Sequence, residues 1–276
     1  MGYRNLLVHL DNTESSRSRI GVAVTLAQRF GAGVTGLFAL ADAHVQSLAS
    51  REARRVVLVE ADEVEARFRA AVAEADVAAE WFAIATSSDR QVSEEVIIGA
   101  RHCDMAILGQ FDSQRADGGV RSDLVEEATW RAGRPLLVIP FAGTFAAVGR
   151  RAVIAWNGTR EAVRALNDAL PLLEGARSVT VVNLAPEERP RRKISGPFAD
   201  IRRHLSWHHI EATVESIGDD ADPVPAAERL LSMLAEEDAD LLVMGGPSRS
   251  ASSGRYGRAF TRQVLSEMTV PVLMAN

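Results

Sequence analysis

The chain has 276 residues, about the length of two average domains. Hydrophobic residues make up 47% of it and charged residues 25%, a globular composition that excludes disordered, collagen-like and disulfide-scaffold proteins. The net charge is −6 at pH 7 and the pI is near 5.6, so we do not expect a broad basic face for binding nucleic acid.

Targeting and redox features favour a soluble, cytoplasmic protein. Residues 1–5 lack the apolar region of a secretory signal peptide, and Asp11 interrupts the first apolar run. No stretch approaches the ~20 apolar residues that a membrane span needs, so no membrane partner is expected. The single cysteine, Cys103, cannot form an internal disulfide and is predicted to be an inert, small hydrophobic residue.

Similar apolar segments recur in the same order in the two halves of the chain. The matched segments are 6–10 with 152–156, 104–109 with 240–245, and 134–139 with 270–274. The first pair is separated by 146 positions and the other two by 136. We interpret the pattern as an internal duplication, with domains at 1–142 and 150–276 and a linker at 143–149.

Helical patterns separate the apolar runs. In chain order, Thr13 is predicted to cap a helix that reaches about Phe30, and residues 51–76 form a long amphipathic helix. Ser88 begins a capping box, and Asp222 with the proline after it begins a helix that reaches about residue 237.

The apolar runs themselves predict the sheet. Unbroken runs such as 106–108 and 241–243 are typical of parallel strands that are buried on both faces. Each half therefore reads as five strands that alternate with four helices. The predicted fold class is α/β, with two tandem, doubly wound, five-stranded parallel sheets of Rossmann-like type.

In such sheets a ligand binds beyond the carboxyl ends of the strands, where the strand order reverses. The residues expected on this rim are Asp11, Asn12, Phe38, Ala39, Gly109 and Gln110 in the first half, and Asn157, Gly158, Leu184 and Gly245 in the second.

The same segments carry a family resemblance. Residues 5–13 resemble the first strand and turn of universal stress proteins, and residues 243–245, 261–265 and 270–273 are similar to the last strands and helix of that family. The resemblance covers nearly the whole chain as two tandem copies. It implies a nucleotide-binding α/β fold, adenine nucleotide as the ligand in some members, and association through the last strand. The two halves would then pair as a pseudo-dimer, and two chains would form a homodimer.

The family's glycine motif is incomplete in this sequence. Nucleotide-binding members have a glycine, a second glycine three positions on, and a closing glycine with serine or threonine, which together surround phosphates. Counted from Gly245, these later positions hold Ser248 and then Arg258 with Ala259. Ser250 keeps the segment small and polar, and Arg249 and Arg258 could supply positive charge. The alternative is a surface loop without a ligand.

The first half is further from the motif, because acidic residues follow Gly109. Asp11, however, matches the acidic residue that the family places near the nucleoside, whereas its counterpart Asn157 is neutral. The alternative is that Asp11 and Asn157 are turn residues that cap the next helix. The candidate nucleotide-binding residues are thus Asp11, Asn157, Gly245, Ser248, Arg249, Ser250, Arg258 and Ala259.

Other motifs are weaker. Residues 31–36 match G-x-G-x-x-G, but they end a helix and enter a strand, which is the wrong context for a dinucleotide site. His204 and His208 have the spacing of two metal ligands without a third, and the alternative is a polar surface helix packed by Trp207. The basic run 189–193 is interpreted as a solvated loop.

Three functions follow from these observations. The first is a binding or signalling module in stress response, with a degenerate adenine-nucleotide site. The second is a related module that has lost the nucleotide and acts through protein contacts. The third is an ATP-binding enzyme that hydrolyses ATP slowly, although no Walker motif, nucleophile elbow, catalytic residue or metal centre can be named. No cofactor is required, and ATP or another adenine nucleotide is the candidate ligand.

Overall fold

The computed structural model describes residues 2–41, 50–86, 88–115, 120–184, 200–217, 226–247 and 257–276. The chain divides into two compact units, Met1–Ala147 (unit 1) and Val148–Asn276 (unit 2). The division lies within the segment 143–149 that the sequence predicts as a linker. In each unit strands and helices alternate, which confirms the predicted α/β class.

The described part of unit 1 contains five strands and four α-helices. The strands are β1 (Asn5–Leu10), β2 (Gly33–Ala41), β3 (Ala79–Thr86), β4 (Met105–Gly109) and β5 (Leu136–Ile139). The helices are α1 (Ser15–Phe30), α2 (Ser50–Glu74), α3 (Asp89–Arg101) and α4 (Leu124–Arg131). A short 3₁₀ helix, Ser113–Arg115, precedes α4.

The strand order in unit 1 is β3-β2-β1-β4-β5, and neighbouring strands are parallel. The order runs outward from β1 in both directions, so right-handed crossovers place α1 and α2 on one face and α3 and α4 on the other. Consistent with this, α1 packs against α2, and α3 packs against α4. Every residue of β4 and β5 is buried, because helices cover both faces of these strands.

The described part of unit 2 repeats this arrangement. Its strands are β6 (Arg151–Trp156), β7 (Ser178–Asn183), β8 (Thr213–Ser216), β9 (Leu241–Gly245) and β10 (Val272–Ala275). Its helices are α5 (Arg160–Leu173), α6 (Ile201–Ser206), α7 (Ala226–Glu236) and α8 (Arg258–Glu267). The strand order is β10-β9-β6-β7-β8, again with parallel pairs, so both units have the predicted doubly wound sheet.

An aspartate fixes the start of the first strand in each unit. The Oδ2 atom of Asp104 accepts hydrogen bonds from the backbone N–H groups of Arg4, at 2.7 Å, and Asn5, at 3.1 Å. In unit 2, Oδ1 of Asp240 accepts from the N–H groups of residues 149, 150 and 151 at 2.8–3.1 Å. These two aspartates are 136 positions apart, so the duplication extends to the side chains that position the strands.

The structure corrects one predicted helix cap and confirms others. Glu14, not Thr13, is the N-cap of α1, because the hydroxyl of Thr13 is hydrogen-bonded to Asp11 instead. Ser88 caps α3 as predicted, through a bond from the N–H of Gln91. Gly31 ends α1 with a φ of 61°, which confirms that the glycines of 31–36 leave a helix and enter β2. The predicted cap at Asp222 lies outside the described residues.

Within the described ranges, no helix has the length and apolar character needed to cross a bilayer.

The role of Asp240 can be tested by truncation. We expect Asp240→Ala to lower the free energy of unfolding by about 1–3 kcal/mol, because several backbone donors lose a charged acceptor. Glu65→Ala is the control: its carboxylate pairs with Arg69 one turn away on α2, and such pairs contribute about 0.5 kcal/mol or less. Urea unfolding measures both; equal losses in the two variants would contradict this role.

Candidate functional site

The topology gives each unit one place where a ligand is expected. The strand order reverses between β1 and β4 in unit 1, and between β6 and β9 in unit 2. In open α/β sheets the crevice beyond the carboxyl ends of these two strands is the usual ligand site, and we call it the switch-point crevice. In unit 1 it lies between Asp11 and Gly109, and in unit 2 between Asn157 and Gly245.

Asp11 is buried, with 1% of its surface exposed, and both of its carboxylate oxygens are hydrogen-bonded. Oδ1 accepts from the backbone N–H of Thr13 at 2.9 Å, from the Thr13 hydroxyl, and from the hydroxyl of Ser16 at 3.1 Å. Oδ2 accepts from Nη2 of Arg19 at 2.7 Å. The carboxylate is thus fully engaged by the turn that follows β1 and by the first turns of α1.

Arg19 lies on the buried side of α1, and none of its surface is exposed. Besides its bond to Asp11, Nη2 donates to the hydroxyl of Ser16 at 2.8 Å, and Nη1 donates to the backbone carbonyl of His9 at 2.9 Å. A buried guanidinium is tolerated only when it is paired and hydrogen-bonded. Nη1 and Nη2 meet that requirement and join α1 to the end of β1, while Nε has no hydrogen-bond partner among the described residues.

The same guanidinium reaches the other side of the unit 1 crevice. A Cβ atom added to Gly109, at the end of β4, would lie 3.1 Å from Nη1 of Arg19 and 2.9 Å from a methyl carbon of Val120. Gly109 is therefore a point of close approach, and the approaching group is an arginine of the protein itself.

Charges inside this cluster shift two pKa values. Burial raises the pKa of Asp11, but the adjacent Arg19 charge, the nearby His9 and the hydrogen bonds from Thr13 and Arg19 outweigh it and lower the pKa from 3.8 to about 2. Burial and the Arg19 charge lower the pKa of His9 from 6.5 to about 4. Its Nε2 lies 3.3 Å from the carbonyl of Ala39, so neutral His9 donates there. At neutral pH the cluster holds Asp11 and Arg19 charged and His9 neutral.

In unit 2 the equivalent turn is neutral. Oδ1 of Asn157 accepts from the backbone N–H of Thr159 at 3.1 Å and from its hydroxyl at 2.8 Å, as Asp11 does with Thr13. The Thr159 hydroxyl in turn caps α5 by accepting from the N–H of Ala162 at 3.4 Å. Asn157 is half-buried, whereas Asp11 is fully buried. The turn geometry is the same in both units, while the charge is absent from unit 2.

The partners of Asp11 are missing from unit 2 as well. Position by position, at the offset of 146, the polar residues of the unit 1 cluster are replaced by small ones. The replacements are Ala155 for His9, Asn157 for Asp11, Ala162 for Ser16 and Ala165 for Arg19. The three alanines are buried. Asp11 and Arg19 are thus present together in unit 1, and both of their counterparts in unit 2 are uncharged.

Gly245 has a packing role at the end of β9. An added Cβ would lie 2.7 Å from the backbone nitrogen of Ala162 and 2.8 Å from the carbonyl carbon of Glu161, in the first turn of α5. Only glycine permits this approach of helix to strand, as the third glycine of a dinucleotide fold does. Glycine at this position therefore has a structural reason that is independent of any phosphate.

Two of the remaining candidates, Arg258 and Ala259, lie at the start of α8. Gly257 is its N-cap without a side-chain bond, and Arg258 and Ala259 are exposed in its first turn. Ser248, Arg249 and Ser250 lie outside the described residues. The structure thus places Asn157 and Gly245 on one crevice and Arg258 and Ala259 at a helix N-terminus that directly follows segment 248–256.

The other sequence features add no further site among the described residues. Cys103 is buried, burial raises the pKa of its thiol to about 12, and its Sγ donates to the carbonyl of Ala100, so it is inert as predicted. The rings of His204 and His208 lie 5.1 Å apart, but no group of three metal-ligating residues occurs in the described part of the chain. The prediction that Trp207 packs this helix is wrong: it is 74% exposed, because Leu205 faces inward instead. The basic run 189–193 lies outside the described residues.

His9, Ser16 and Arg19 were not among the predicted site residues. Two signals point to them. Ser16 and Arg19 are spaced with Ala23 and Leu26 on the buried face of α1, where a charged residue needs a partner. In addition, a comparison of the two halves at offset 146 shows that His9, Ser16 and Arg19 all become alanine.

The packing role of Gly245 has a direct test. We expect Gly245→Ala to lower the free energy of unfolding by about 1–3 kcal/mol, because the new methyl overlaps the backbone of α5. Gly21→Ala in α1 is the control: its Cβ meets nothing within 4 Å, so it should raise stability by about 0.5–1 kcal/mol. Urea unfolding with circular dichroism measures both; an unaffected Gly245→Ala protein would contradict the packing role.

His9 makes stability depend on pH. Its pKa is lower in the folded protein, so between pH 6.5 and about 4 the unfolded chain binds more protons, and acidification through this range weakens the fold. We expect wild type to lose more unfolding free energy than His9→Ala as the pH falls from 7 to 5. His102→Ala is the control for the loss of an exposed histidine. Parallel slopes for wild type and His9→Ala would contradict this.

Comparisons with known proteins agree with the architecture. No protein-family model matches the chain, and neither does any curated protein. Among solved structures, a universal stress protein from Archaeoglobus fulgidus DSM 4304 matches 99% of this chain and 96% of its own, with 15% identity and a TM-score of 0.74. A functionally unknown protein from Pseudomonas aeruginosa PAO1 matches 99% and 92%, with 14% identity and a TM-score of 0.60.

A third structure, from Pseudomonas aeruginosa UCBPP-PA14 and provisionally described as a universal stress protein, matches 99% of this chain and 93% of its own, with 15% identity and a TM-score of 0.60. All three matches extend over both units. The resemblance drawn from the sequence is therefore confirmed at the level of the fold. The chain has the fold of universal stress proteins, in a tandem, two-unit form.

Proposed function

We propose that the protein is a tandem universal stress protein that works as a binding and signalling module, with a reduced adenine-nucleotide site in unit 2. The observation that supports this most is the switch-point crevice between Asn157 and Gly245, which has the position of a ligand site and lacks a counterpart of the Asp11–Arg19 pair. The full-length match to a universal stress protein fold supports the class.

The proposed site is reduced because little of the glycine motif remains. Gly245 is used for packing against α5, and the closing positions hold Arg258 and Ala259. Phosphate binding would then depend on positive charge at the first turn of α8, supplied by Arg258 and by the helix dipole, rather than on a glycine loop. We therefore propose weak nucleotide binding that acts on conformation or on partner choice.

A binding role fits the chemistry of the described residues better than catalysis. The two side chains with shifted pKa values at a switch point are His9 and Asp11, and both are buried within the protein. A general base must reach its substrate within hydrogen-bonding distance, and neither side chain is exposed to one. Tight ATP binding by unit 2 through segment 248–256, with or without slow hydrolysis, is the alternative.

The amount of nucleotide that copurifies separates the proposal from the alternative. We expect protein that is denatured with acid to release well below one adenine nucleotide per chain, while millimolar ATP raises the melting temperature of the native protein. A ligand at 100 times its Kd adds about 2.7 kcal/mol of stability. Release of one nucleotide per chain would favour the tight-binding alternative, and the absence of any thermal shift would contradict the nucleotide site.

Charge reversal on α8 locates the phosphate contact. We expect Arg258→Glu to abolish the thermal shift with ATP, since it puts a negative charge where phosphates would lie. Arg262→Glu is the matched control, one turn further along the same helix and also exposed, and it should keep the shift. Equal rises in melting temperature with ATP in both variants would show that the phosphates do not bind at Arg258.

A further inference from the structure

We propose that Arg19 is an internal ligand that closes the switch-point crevice of unit 1, so that unit 2 alone takes adenine nucleotide. The identity of the ligand rests on the proposed function. The closure itself rests on the geometry of unit 1 and can fail or hold independently.

Arg19 spans the crevice from one strand end to the other. Its Nη2 lies 2.7 Å from Asp11, just after β1, and its Nη1 approaches Gly109, the last residue of β4, to 3.1 Å from where a Cβ would stand. β1 and β4 are the two strands between which the order reverses. The guanidinium thus occupies the gap in which a ligand of this sheet class would lie.

A nucleoside could not use Asp11 without displacing this arginine. The acid is 1% exposed, and both of its oxygens already accept hydrogen bonds. A ribose hydroxyl would have to replace a charge-assisted bond from Arg19 with a neutral one, which is weaker. It would also leave a buried guanidinium without its counter-charge, which is strongly unfavourable.

Unit 2 shows what the crevice is like without the closure. The counterparts of Asp11 and Arg19 are Asn157 and Ala165, so this unit lacks the pair that spans the unit 1 crevice. Its own buried acid, Glu161 in the first turn of α5, pairs with the exposed Arg160 instead. Because unit 2 folds with asparagine and alanine at the two counterpart positions, the same two residues placed in unit 1 should be compatible with folding. They remove both charges at once and leave none unpaired.

A purely structural role for Arg19 makes a different prediction. If the arginine only joins α1 to β1, its removal lowers the free energy of unfolding and creates no nucleotide binding at unit 1. If it is an internal ligand, its removal also opens a site. Nucleotide occupancy at unit 1 is therefore the readout that distinguishes the two roles.

The experiment is photolabelling of the full chain with 8-azido-ATP, followed by mass spectrometry of the labelled peptides. The proteins are wild type, Arg19→Ala, the double variant Asp11→Asn/Arg19→Ala, and Arg17→Ala. Arg17 is an exposed arginine of α1 that pairs with Glu14, so it controls for loss of positive charge on this helix. Circular dichroism verifies that each protein is folded; should Arg19→Ala fail to fold, the double variant decides.

We expect wild type and Arg17→Ala to show background label in residues 1–147, and the double variant to show at least about tenfold more there. Label in residues 1–147 of wild type, or no gain in the folded double variant, would overturn the closure by Arg19. Label in residues 148–276 of wild type tests the proposed function separately. If that label is absent, the proposed site in unit 2 is contradicted. The label in residues 1–147 then decides the role of Arg19 by itself.

Discussion

A buried positive charge must have a negative partner, and this requirement organises the crevice of unit 1. Arg19 has no exposed surface, so it depends on the Asp11 carboxylate, on the Ser16 hydroxyl and on the carbonyl of His9. Meeting that need fixes the turn after β1 and joins α1 to the end of β1, and the Arg19 charge adds to the effect of burial in lowering the pKa of His9. The residues that could have faced a ligand are engaged with one another instead.

The two units therefore share a backbone plan but differ in the chemistry of their crevices. Strand order, parallel pairing and the aspartates that fix the first strands are repeated in both. The polar cluster is not: unit 2 has alanine at the positions of His9, Ser16 and Arg19. Charges that depend on each other are gained or lost as a set, because either one alone would be a buried, uncompensated ion. Under the proposed closure, duplication followed by such a coupled change gives one crevice that Arg19 occupies and one that lacks this arginine.

Much of the fold could be predicted from the sequence, because parallel strands buried on both faces leave unbroken apolar runs and a duplicated chain shows them twice. The candidate site was harder to predict from the sequence than the fold. Asp11 stood out as an acid at a strand end, yet its partner Arg19 is eight residues away in a helix, and no pattern of strand ends indicates it. Gly245 matched a phosphate motif in sequence, whereas its contact with α5 depends on how helix and strand pack. Trp207 was expected inside by its size and is exposed.

The central claim is that Arg19, and not a nucleotide, occupies the crevice of unit 1. A crystal structure of the wild-type chain grown with excess ATP measures this most directly. The account predicts Arg19 within hydrogen-bonding distance of Asp11, no nucleotide beside Gly109, and any bound nucleotide between Asn157 and Gly245. Nucleotide density against Asp11, with the arginine turned away from it, would contradict the account.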